Sequence, residues 1–183
     1  RVLIVDCDVH QGDGTASLTA GRDDIFTFSI HAEKNFPVRK ARSSLDVGLP
    51  DGTGDGDYLA VLDAHLPRLL DNFAPDIVLY QAGVDPHAND KLGRLALSDA
   101  GLERRERYVV DAVRSRRVPL ASALGGGYGE DQREVAGRHA RSMIAMASEN
   151  ARHAAPASNR YPRSPSGNRT TRTRAAGSSA GSA

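Results

Sequence analysis

Asp6, Asp8 and His10 alternate along one short stretch of this chain, directly after four apolar residues, Val2-Leu3-Ile4-Val5. The apolar run reads as a buried strand. Period-two spacing would place the three polar side chains on one side if the chain stayed extended. Carboxylates and an imidazole at the carboxyl end of a strand occupy the edge where open α/β sheets place their chemistry. Carboxylate and neutral imidazole together suit a divalent ion such as Zn²⁺. Gly12 and Gly14 follow and allow a sharp turn, with a further carboxylate, Asp13, between them. A lone Asp-x-His is more often a turn or a helix cap. The full string D-x-D-x-H-Q-G-D-G is harder to explain that way, because closely set acids repel and desolvate one another without a cation.

Two other segments carry polar groups just after apolar runs. Asp76–Ala82 (DIVLYQA) leads into Gly83-Val84-Asp85-Pro86, and Val118–Leu124 leads into Gly125-Gly126-Gly127-Tyr128. If these are parallel strands, Asp8, His10, Asp85 and Tyr128 converge on one sheet edge. Asp8, His10 and Asp85 then make three protein ligands and leave room for water or substrate. The Tyr128 hydroxyl is free to swing toward a polarised carbonyl. Alone, Asp85-Pro86 would read as a turn, and the triple glycine lacks the continuation of a phosphate-binding loop. His65, His87, His139 and His153 read as surface residues, and His31 as part of a loop.

The elements that must position these groups alternate. A short helix is expected over 14–20, a strand over Ile25–Ile30, a polar loop over 31–45, and a short strand over Asp46–Leu49. A helix over about 57–73 follows, with Pro67 inside it as a possible kink. Helices from Ser98 to about Arg114, and from Glu130 or Asp131 to about Asn150, flank the last strand. Strands alternating with helices argue for an α/β fold, a parallel sheet with helices on both faces.

The chain has 183 residues, enough for one domain with a real core, and 24 basic against 23 acidic side chains. Six of the arginines and no acids fall in 151–183, so the first 150 residues carry a net charge of −5. That body offers no basic stripe for specific nucleic-acid binding. No apolar run is long enough to span a membrane. The single Cys7 excludes an internal disulfide and fits a reducing, cytoplasmic location. Residues 151–183, rich in Ala, Ser, Gly, Pro and Arg, read as a disordered basic tail. The chain opens at Arg1 without a methionine, directly before the strand that carries the site, and is expected to continue a longer domain.

The strings DCDVHQGDGT, FTFSIHAEKNFP, LPDGTGDGDYL, YQAGVDPHANDKLGRLALS, RRVP and GGGY, in this order, resemble the zinc-dependent histone deacetylases of the arginase/deacetylase superfamily. The likeness covers residues 1 to about 148 and is closest to the class IV branch and its bacterial relatives. It implies an arginase/deacetylase-like sheet, incomplete on its N-terminal side, with residues 1–150 forming the C-terminal part of a catalytic domain. It implies that Asp8, His10 and Asp85 bind zinc and that Tyr128 polarises the substrate carbonyl. Asp6 and Asp13 correspond to carboxylates that orient a catalytic histidine pair. Ser29, with the carbonyls of Asp6, Asp8, His10 and Ile30, corresponds to a potassium site, and the carbonyls of Thr19, Arg22 and Ile25 to a second monovalent site. Phe36 and Leu92 correspond to walls of the acyl-lysine channel.

None of the six histidines here is paired with another. The family's paired-histidine segment lies upstream of the first zinc ligand, so this chain is expected to carry the metal ligands without the general base. The activity implied for the parent is hydrolysis of acetyl-lysine, or another acyl-lysine, in an acetylated protein. Two other readings stay open. One is an amidohydrolase for acetylpolyamines or other small-molecule amides, and the other is a non-catalytic truncated fragment.

Overall fold

The structure is a computed structural model that describes residues 1–154. Its strands are β1 (Val2–Asp6), β2 (Ile25–Ala32), β3 (Leu45–Leu49), β4 (Ile77–Ala82) and β5 (Leu120–Leu124). Its helices are α1 (Asp13–Leu18), α2 (Asp55–Phe73), α3 (Asp99–Arg114) and α4 (Gln132–Arg152). The five strands form one parallel sheet in the order β3-β2-β1-β4-β5. The topology is that of an α/β protein, as the alternation of strands and helices implies.

β1 sits at the centre because both its neighbours can bury its apolar run. Leu3 and Val5 are fully buried, with Phe28 and Ile30 of β2 and Val78, Tyr80 and Ala82 of β4 in the same core. Leu62, Leu66 and Leu70 of α2 and Leu102, Val109 and Val113 of α3 close over that face. The opposite face carries the short α1. It also has a groove of about 350 Å³, lined by Ile4, Asp6, Thr15, Leu79, Tyr80, Gln81 and residues 121–123. Leu79 and Leu124 remain exposed along β4 and β5.

Several boundaries differ from the sequence reading. β2 continues to Ala32, which places His31 in the sheet, where it is buried, and shortens the loop that follows. His87 is also buried, because the 85–97 segment folds back and its Leu97 pairs with His87. α2 begins two residues earlier than expected and passes through Pro67 without ending. It stops at Ala74, which takes a left-handed conformation at φ 46° just before Pro75. α4 is capped by Asp131, whose side chain accepts from the Arg133 amide, and reaches Arg152, past the expected boundary at 150. The rest of the expected tail, from 155, lies outside the described residues. No helix among the described residues is long and apolar enough to cross a membrane.

Candidate metal centre

β1 and β4 are direct neighbours, with Asp6 opposite Gln81, so the residues that follow each strand emerge side by side. Past Asp6 the chain bends instead of continuing as a strand. The expectation that Asp6, Asp8 and His10 share one side of an extended strand is therefore not met. Asp6 turns back on its own loop: its Oδ1 accepts from the Asp8 amide at 3.1 Å and its Oδ2 lies against Gly12, where a Cβ would sit 2.4 Å away. Glycine at 12 is thus required by close approach.

The bend gathers a different group of three. His10 Nδ1 lies 2.9 Å from Asp8 Oδ1 and 3.1 Å from Asp85 Oδ2, and one ligand atom from each residue lies within 4.8 Å of the others. The remaining oxygens are held from outside. Asp8 Oδ2 accepts from Gln81 Nε2 at 2.8 Å and from the Gly126 amide at 2.9 Å. Asp85 Oδ1 accepts from the Val9 amide at 2.8 Å. Asp85 is fully buried, Asp8 nearly so, and His10 is half-buried at the mouth. Two carboxylate oxygens and one imidazole nitrogen, each with its other polar atom or backbone anchored, match the donor set of a zinc site. Zinc bonds of ~2.0–2.2 Å would require His10 Nδ1 to draw back from each of the two carboxylate oxygens by only a few tenths of an ångström.

The electrostatics express the same crowding. The carboxylates of Asp8 and Asp85 push the His10 imidazole up to about 10. Burial, and then the Asp8 charge, lift Asp85 to about 6 despite its bond to His10. Burial acts upward on Asp8 as well, but hydrogen bonds from His10 and Gln81 outweigh it and hold this carboxyl well below the usual range. Burial lifts Asp6 to about 7. The imidazole thus stands between two carboxylates, in a place where a dication would supply the positive charge that the cluster favours.

Tyr128 stands over this cluster. Its ring is 6.0 Å from the His10 ring and edge-on to it, and it is 44% exposed. Asp90 sets its position: Asp90 Oδ2 accepts from the Tyr128 amide at 2.6 Å, while Oδ1 accepts from the amides of Leu92 and Gly93. Phe36 and Leu92 are exposed at 69% and 54%. Their two loops are joined where Asn35 Nδ2 donates to the Leu92 carbonyl at 2.6 Å.

Ser29 lies opposite Asp6 in the β1–β2 register, and its Oγ is 2.9 Å from His31 Nδ1 and 3.4 Å from the Gly12 amide. Ile30 continues β2 opposite Val47. Asp13 opens α1, half-buried, and the structure does not bring it into the three-residue cluster. The sequence reading gave no role to Gln81, Asp90 or Asn35. Nothing in the sequence marks Gln81 or Asn35, because each acts on a backbone group or side chain distant along the chain. Asp90 carries a weak signal, an acid two and three residues before Leu92 and Gly93, the spacing of a turn.

Residues 1–145 match the histone deacetylase domain family. An uncharacterised protein of the cyanobacterium Picosynechococcus is 50% identical over 139 residues, covering 76% of this chain and 46% of that protein. Histone deacetylase 2 of Arabidopsis thaliana is 33% identical over 131 residues, covering 70% of this chain and 34% of that protein. The chain thus spans between a third and a half of these relatives' lengths. Among solved structures, a histone deacetylase homologue complexed with SAHA superposes with a TM-score of 0.68 at 25% identity, over 81% of this chain and 41% of that one. An acetylpolyamine aminohydrolase of Burkholderia pseudomallei superposes with a TM-score of 0.65 at 24% identity, over 82% of this chain and 44% of that one.

Proposed function

Because the chain belongs to the histone deacetylase domain family, we propose that Asp8, His10 and Asp85 hold a zinc ion that serves the hydrolysis of acyl-lysine amides. The meeting of these three side chains from two strand ends carries the reading. Zinc bound there supplies Lewis-acid polarisation of an amide carbonyl and a more acidic water.

The chain's own groups do the rest of what it can do. Tyr128, on its glycine-rich loop, presents a hydroxyl that donates to a carbonyl oxygen as negative charge develops there. Burial, and then the charges of Asp8, Asp85 and Asp90, hold that phenol above its ordinary range, so it stays protonated at neutral pH. Phe36 and Leu92, exposed on two loops that Asn35 ties together, would guide the alkyl stem of an acyl-lysine. Asp6 faces the open groove and would orient a histidine presented there, with Asp13 as a second such carboxylate. In this reading the histidine pair that moves the water's proton comes from polypeptide beyond these residues. A potassium ion held by Ser29 and the carbonyls of Asp6, Asp8, His10 and Ile30 would balance the buried acids.

The experiment compares zinc-loaded chain with a chimaera in which the chain replaces the matching residues of the cyanobacterial relative. Both are offered acetyl-lysine peptides and acetylpolyamines. The chimaera is expected to hydrolyse the peptide, and the chain alone to be slower by ~10²–10⁴, the usual worth of general acid–base catalysis. Equal rates would place the base within this chain. Turnover of acetylpolyamines alone would reassign the substrate.

A further inference from the structure

We infer that Arg105 is a positioning residue for the metal centre: its guanidinium fixes the spacing between the two strand ends that carry the metal ligands. This rests on the reading that Asp8, His10 and Asp85 bind the metal. Arg105 lies in the middle of α3 and is fully buried, as is its neighbour Glu106. Its Nη1 donates to the Cys7 carbonyl at 3.0 Å, and its Nη2 donates to the Gly83 carbonyl at 2.8 Å. The same Nη2 pairs with Glu106 Oε1 at 2.6 Å, and Glu106 Oε2 accepts from the Tyr80 hydroxyl. The Tyr58 hydroxyl also reaches the Cys7 carbonyl, at 3.5 Å.

The two carbonyls explain why a charge is buried here. Cys7 directly precedes Asp8, and Gly83 stands two residues before Asp85. The β1–β4 ladder ends at Asp6 opposite Gln81, after which one amide bond remains, from Cys7 to the Gln81 carbonyl. Beyond that point the strands have no direct ladder to keep them in register. The planar fork of a guanidinium spans the gap with a fixed distance between its donors, which a lysine cannot reproduce. Stability alone does not call for this arrangement, since a buried ion pair is often replaceable by apolar side chains without loss. Groups that hold metal ligands in place typically change metal affinity 10–100-fold when removed.

The test separates geometry from stability. The triple variant Tyr80→Phe, Arg105→Met, Glu106→Leu replaces the network with apolar groups and leaves no buried charge unpaired. Relief of the buried ion pair offsets the loss of donors to the Cys7 and Gly83 carbonyls, so it is expected to fold with a melting temperature near that of the parent chain. Its zinc affinity, measured by competition with a chromophoric chelator, is expected to fall 10–100-fold, and the visible spectrum of its cobalt form to change. Arg105→Lys, which keeps the charge and loses the fork, is expected to show the same spectral change. It carries the test if the triple variant does not fold. Parental affinity and an unchanged cobalt spectrum in a folded variant would overturn the role of Arg105. Zinc binding by the parent that Asp85→Asn leaves unaltered would overturn the metal-site reading instead.

Discussion

The Val9 amide donates to Asp85 Oδ1 at 2.8 Å, so a residue that follows the first strand orients a carboxylate that follows the fourth. That bond leaves Asp85 Oδ2 as the oxygen turned to His10. An asparagine at 85 can keep an acceptor toward Val9 or toward the metal, but not both. Asp85→Asn is therefore expected to weaken zinc binding ~100-fold or more, beyond the effect of losing an outer hydrogen bond. The parent chain should gain ~2.7 kcal/mol of stability when free zinc stands at a hundred times its dissociation constant. Thermal unfolding with and without zinc checks both, and an equal gain in the variant would contradict the assignment.

Glycine substitutions should divide sharply by position. A Cβ at Gly126 would sit 1.9 Å from Asp85 Oδ2 and 2.9 Å from Asp8 Oδ2, while one at Gly14 meets nothing within 4 Å. Gly126→Ala is expected to displace both carboxylates, with loss of zinc binding and ~1–3 kcal/mol of overpacking strain. Gly14→Ala should leave zinc binding unchanged. Metal titration and denaturant unfolding of the pair provide the measurement.

The bond from Asn35 to the Leu92 carbonyl predicts a coupled rim. Asn35→Ala should cost ~0.5–1.5 kcal/mol, the net worth of an ordinary hydrogen bond. Amide exchange should speed up in both the 33–44 and 86–97 loops. Acceleration confined to the first loop would show that they are held separately.

Asp55 supplies a prediction in the acid range. Burial acts to raise its pKa. The Ser98 amide at 2.8 Å, the Ser98 hydroxyl and the Arg104 guanidinium outweigh that and hold the carboxyl below its ordinary value. A depressed carboxyl contributes stability that is present above the unfolded value of 3.8 and is lost as pH falls through the folded one. The stability advantage of the parent over Asp55→Asn should hold from neutral pH down to about 4 and shrink below it. Urea unfolding of both proteins across that range measures it, and an advantage independent of pH would contradict the assignment.

Most of the architecture was legible in the sequence because each strand is a short apolar run closed by a turn signal. Asp76–Ala82 and Ile25–Ile30 declare themselves in this way, and Asp131 marks the start of α4. The grouping of Asp8, His10 and Asp85 followed from their positions after strands. What failed was the assumption that an extended chain carries Asp6 to the same side. The bend after Asp6 depends on a carboxylate capping its own loop, and the alternation pattern is blind to that. The burial of Arg105 was hidden for a related reason. An amphipathic helix tolerates a charge in its apolar stripe when a distant carbonyl meets it, and that carbonyl has no sequence signature.

The central place of β1 has a consequence for how the molecule assembles. β2 and β3 follow β1 closely and can join it early, whereas β4 arrives only after the whole of α2. Closing that long excursion costs little more entropy than a shorter one, since the penalty grows only logarithmically with length, but such non-local pairing is slow. A chain in which only β1–β3 had paired would carry Asp8 and His10 but not Asp85. It would offer a two-donor site, unable to compete for a divalent ion with the finished protein. Under the proposed metal reading, capture would therefore follow the pairing of β4 with β1, and zinc would act as a latch on that junction instead of a nucleus for it.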